Sequence, residues 1–121
     1  MKHIIFCALI IWCSSTYGQT PKEYNSLLKS YTSQELNELK EKRPDHYELL
    51  SYALNNAVYF GSYDASKHNE LPKIQGLNES KNFSDYGLKI EDINQYFYCP
   101  EINKVMVVKS FWVLKHEKEK S

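Results

Sequence analysis

Tyr47, Leu50, Leu54, Ala57 and Val58 recur at steps of three, four, three and one, and no other feature constrains the chain as much. Apolar residues at this spacing line one side of a helix, so the segment must bury that side against other elements. The spacing predicts one long helix from about Pro44 to about Ala57, with its stripe packed on a sheet. Pro44 cannot continue a helix from the N-terminal side, but it opens one well, and Asp45 and Glu48 suit the positive end. Two shorter helices are expected upstream. Tyr24, Leu27, Leu28 and Tyr31 form one stripe, with Thr20 as N-cap and Pro21 in the first turn. Thr32-Ser33-Gln34-Glu35 is a capping box that opens a helix from Gln34 to Lys42, with Leu36 and Leu39 on one side.

The second half changes character. Val58-Tyr59-Phe60 either completes the long helix or begins a strand, and Gly61 is expected to end whichever it is. The stretch 61–85 is polar, holds Pro72 and Gly76, and has no sustained period; it is either a mobile loop or hides a short strand at about Leu71–Ile74. Gly87-Leu88-Lys89-Ile90 and Gln95-Tyr96-Phe97-Tyr98-Cys99 read as strands. Pro100-Glu101-Ile102-Asn103 carries turn chemistry, which makes Gln95–Lys109 a β-hairpin with a four-residue loop. Val105 to Val108 is apolar on both faces, so its strand should be central. Phe111–Leu114 either prolongs that strand past a bend or starts a last helix capped by Ser110, and Lys115 to Ser121 should fray. The fold expected is α+β: N-terminal helices packed on a small antiparallel sheet from the C-terminal half.

The first eighteen residues read as a cleavable secretory signal peptide. Lys2 supplies the positive end, Ile4 to Cys13 an uncharged apolar run of ten, and Thr16 and Gly18 the small residues before a cut ahead of Gln19. A membrane anchor would need about 20 apolar residues. A lipidated Cys13 would want a small residue where Trp12 stands. Cleavage leaves residues 19–121 as a single small domain with no membrane span and 14 basic against 15 acidic residues. Arg43 is the only arginine, and neither the balance nor the lack of guanidinium forks fits a nucleic-acid partner. The leader ending Gly18-Gln19 and the Lys/Asn/Tyr-rich body resemble small exported proteins of Bacteroidetes-type bacteria, which implies a periplasmic or secreted location and no particular activity.

After cleavage Cys99 is the sole cysteine, so the domain has no internal disulfide; burial as a small hydrophobe is expected over pairing with another chain or nucleophilic use. His46, His68 and His116 are too far apart for a zinc pattern, and His46 beside Asp45 looks like a solvated pair. Asp64, His68 and Glu70 form the one local cluster that could hold a metal ion, although such mixtures recur by chance. No nucleophile elbow, phosphate-cradling glycine loop or cofactor motif occurs. Asn78-Glu79-Ser80 and Asn82-Phe83-Ser84 are glycosylation sequons of the kind an Asn- and Ser-rich loop produces by chance. The aromatics carry the strongest binding signal, with Tyr96, Tyr98 and Trp112 as the candidate binding residues. The function expected is therefore a non-catalytic envelope protein that binds a protein or a glycan. The alternatives are a small secreted hydrolase using Asp64, His68 and Glu70, and an accessory subunit of an envelope complex.

Overall fold

A computed structural model describes residues 20–120; the signal peptide assigned to 1–18 lies outside the described residues. The chain runs α1 (Pro21–Leu27), α2 (Ser33–Lys42), α3 (Pro44–Asn56), β1 (Val58–Ser62), α4 (Ala65–His68), β2 (Gln95–Cys99), β3 (Lys104–Val108) and α5 (Phe111–Lys120). Two short 3-10 turns, Leu77–Glu79 and Phe83–Tyr86, fall between α4 and β2. The architecture is α+β.

Caps set where the helices begin. Thr20 and Thr32 each close a reciprocal box, with the threonine Oγ1 taking the backbone N–H of Glu23 or Glu35 and that glutamate taking the threonine's own N–H. The α3 stripe is buried as the spacing predicts, and Leu49 and Ala53 are buried beside it. The wider face follows from its neighbours, because α3 packs between α2 and α5 as well as against β1.

The sheet has the order β1-β3-β2, antiparallel throughout, so β3 is central as its two-sided apolar run requires. The β2–β3 hairpin turns through Pro100–Asn103, where Asn103 takes the left-handed backbone (φ 53°) that closes the loop. Val58, Met106 and Val108 face the helices and join α3, Leu27, Leu36 and Leu114 in one core, with Phe60 and Phe97 at its margin. Cys99 is in the same core, and burial pushes its thiol above the ordinary range. We expect Cys99 to resist a thiol reagent in the native protein and to react fully once denaturant is added. Equal labelling rates in both states would remove it from the core.

The structure corrects several sequence expectations. Gly61 does not end β1, because its bare face points away from the core and meets nothing within 4 Å. Leu71–Ile74 forms no strand, only a parallel bridge in which the Ile74 N–H donates to the Tyr98 carbonyl and the Tyr98 N–H to that of Pro72, at 2.9 and 2.8 Å. Gly87–Ile90 is not a strand either. Gly87 caps the second 3-10 turn at φ 68°, and the backbone beyond it bonds to side chains, the Ile90 N–H to the Tyr31 hydroxyl and the Lys89 carbonyl to the Gln95 amide. Lys115 to Lys120 remains helical, as part of α5, which the Ser110 hydroxyl caps by accepting from the Val113 N–H at 3.3 Å. Among the described residues no helix is long and apolar enough to cross a membrane.

Candidate functional site

Alternation along three paired strands puts every second side chain on the face turned away from the helices. Tyr59, Val107 and Tyr96 stand in register across β1, β3 and β2, and Gly61, Val105 and Tyr98 form the next row. Tyr59 and Tyr96 are each 45% exposed, whereas Val107 between them is only 5% exposed. Val105 and Val107 are buried yet lie outside the core cluster. The flanking tyrosines therefore shield them, which makes this outer face an aromatic platform on a valine base.

Its ends are defined. Tyr63, just past the end of β1, meets the Tyr98 ring of β2 at 4.2 Å, and β1 and β2 flank β3. The Tyr98 hydroxyl donates to Asn103 Oδ1 at 2.8 Å, which fixes one ring of this pair. Beyond Tyr63 lies His68, with ring centroids 6.0 Å apart, so the short α4 borders the platform. At the other end the Lys109 ammonium sits 5.5 Å from the Tyr59 ring centroid and bonds Glu117 of α5 at 2.7 Å.

The three sequence candidates separate in space. Tyr96 and Tyr98 share the outer face, but Trp112 lies in the first turn of α5, 60% exposed, its ring edge-on to Phe111 and beside Lys115. Tyr59 and Tyr63 complete the platform; Tyr59 reads equally as a helix end or a strand until the β1 register is known, and Tyr63 falls in the polar stretch. Asp64 and His68 are engaged with each other's turn: Asp64 Oδ1 accepts from the Ser66 N–H and hydroxyl, and His68 Nδ1 accepts from the Asp64 N–H at 3.0 Å. Those bonds to Ser66 hold the Asp64 carboxyl below its usual range. Glu70 does not join them, and among the described residues no three His, Cys, Asp or Glu side chains are grouped to hold a metal ion.

A second feature was not legible in the sequence. A cavity of about 130 Å³ lies between α2, α3, α5 and the 89–92 stretch, with Leu50, Ile90 and Leu114 in its walls and Arg43 and His46 in its lining. His46 is thus no solvated partner of Asp45: Arg43 Nη2 lies 2.9 Å from its Nε2, and its ring packs on Phe111. Burial first, and the Arg43 charge second, hold the imidazole below its ordinary 6.5, against the opposing pull of Asp45 and Asp92. A folded-state value below the unfolded one means the unfolded chain takes up the proton first. Stability from this group is therefore complete above about pH 6.5 and is lost as pH falls toward the folded value. We expect the melting temperature to fall between pH 7.5 and 5.5, and His46→Gln to flatten that slope. An unchanged slope in the variant would acquit His46.

Compared with known proteins, the chain matches no family model, no curated protein and no solved structure, so its site speaks for it alone.

Proposed function

We propose that this is an exported, non-catalytic binding domain whose outer sheet face takes a glycan of the cell envelope. The observation that carries the proposal is the pair of exposed tyrosines, Tyr59 and Tyr96, held in one row across Val107. Two strand spacings of about 4.8 Å separate the tyrosines, so their Cα atoms stand about 10 Å apart. That span suits stacking of two sugar rings along an extended chain. What the face offers to solvent is tyrosine, with an apolar ring and a polar hydroxyl, while its aliphatic base is already shielded. This chemistry fits sugars, which combine C–H faces with hydroxyl edges, better than it fits a dry apolar interface.

A protein partner is the second reading, favoured by β1. It is an edge of the described sheet, and Val58-Tyr59-Phe60-Gly61-Ser62 carries no charge to repel an added strand. Amide-resolved titration of the protein with neutral oligosaccharides of graded length separates the two. Saturable shifts confined to β1, β2 and β3 support the glycan. With no saturable shift from any oligosaccharide, the glycan reading fails and envelope proteins become the ligands to test.

A further inference from the structure

The cavity beside α3 takes no part in the sheet-face proposal, and its chemistry is different. We propose that it is a binding site for a small uncharged molecule, mostly apolar, that carries one hydrogen-bond acceptor. Size sets the scale: about 130 Å³ is room for one small ring. Leu50, Ala53, Ile90 and Leu114 give the walls the apolar surface such a ring would cover.

The acceptor is asked for by Tyr31. Its hydroxyl oxygen accepts the Ile90 N–H at 3.0 Å, while its own proton has no acceptor among the described residues, and the residue is only 7% exposed. Burial pushes the phenol up to about 12, so the proton stays in place at any physiological pH. Tyr31 lines the cavity, and a ligand oxygen reaching its hydroxyl would take the proton that no described protein group accepts.

Absence of net charge follows from the other polar groups. Arg43 lies 2.9 Å from His46 and 3.7 Å from Asp92, and Lys89 is held by Glu35 at 2.6 Å. Glu91 and Asp92 add acids to the same lining. Both cations of the lining, Arg43 and Lys89, are thus engaged by acids, which leaves an anionic ligand no unanswered positive charge to meet, and a neutral ligand fits the apolar walls best.

The test is an amide-resolved titration of the purified protein with cyclohexanone, and with methylcyclohexane as the same ring lacking an acceptor. Benzoate and benzylammonium serve as charged counterparts. Cyclohexanone is expected to shift Ile90 and Leu114 saturably and to bind about fivefold more tightly than methylcyclohexane, the effect of one net hydrogen bond. Tyr31→Phe should erase that difference, and Ala53→Val, which narrows the cavity, should weaken both rings. A circular dichroism melt confirms that each variant is folded. The proposal is overturned if neither ring saturates, if the two rings bind the wild type equally, or if a charged probe binds best. Binding that survives Ala53→Val unchanged would place the probe elsewhere and overturn it too.

Discussion

Phe83→Ala is expected to destabilise the fold by about 3–5 kcal/mol, the usual range for emptying a fully buried phenylalanine site. Phe83 sits in a stretch whose composition is that of a surface loop, yet none of its side chain is exposed. It lies in the core with Leu27 and α3, and the residues around it are fastened to the end of α1. Asn82 donates to the Ser26 hydroxyl at 2.9 Å, the Ser84 hydroxyl meets the same oxygen at 2.9 Å, and Asp85 pairs with Lys29 at 2.9 Å. Asn82 also accepts from the Ser84 N–H, so one of the two sequon asparagines caps the turn that carries Phe83. Because a domain of this size has a total stability of only about 5–15 kcal/mol, the loss would take about a fifth of it or more. Guanidinium denaturation followed by tryptophan fluorescence reads the change directly. Ile93→Ala, at a residue 74% exposed, is the control and should move stability by no more than about 0.5 kcal/mol. A Phe83 variant as stable as that control would mean the Phe83 ring contributes nothing to the core.

The contrast between Phe83 and the stripe on α3 marks what a sequence can reveal. Helical spacing repeats, so Tyr47, Leu50 and Leu54 identify one another, and the Thr20 cap with Pro21 and the Thr32 box announce where α1 and α2 begin. The hairpin was legible for a similar reason, since Pro100–Asn103 is local turn chemistry between two β-rich runs. A single phenylalanine among polar residues has no period, and its burial depends on α1, which lies far away in sequence. Gly87–Ile90 misled because β propensity reports fit to a pleated surface rather than a backbone requirement. Here the Tyr31 and Gln95 side chains take the bonds a ladder would have made. The platform was half visible. Alternation put Tyr96 and Tyr98 on one face, but β3 is apolar at four consecutive positions and hides which face the helices cover. Pairing with β1 resolved that and added Tyr59 and Tyr63. Arg43, His46 and Tyr31 converge only in three dimensions, from α3 and the connections around α2 and α3, and no spacing rule joins them.

The largest functional effect should come from the platform itself. Truncating a central aromatic in a binding site costs about 2 kcal/mol or more, which is about thirtyfold in affinity. Tyr59→Ala and Tyr96→Ala should each weaken oligosaccharide binding by that much. The two side chains lie on opposite edges of the sheet with Val107 between them. Both would contact one ligand, so their losses couple, and the double variant should lose more than either single one, up to about a thousandfold. Stability should respond far less, because removing one cross-strand neighbour of Val107 costs only about 0.2–1 kcal/mol. This split between affinity and stability distinguishes a binding role from a structural one. If both tyrosines only shield Val107, the double variant melts earlier and binds as before. Tyr98→Ala should act through the Tyr63 ring it stacks on, weakening binding less than either exposed tyrosine. Trp112→Ala, on α5, should leave the affinity unchanged. Were Trp112 the sensitive position and Tyr59 the silent one, the ligand would be riding on α5 and the sheet face would be bare protein surface.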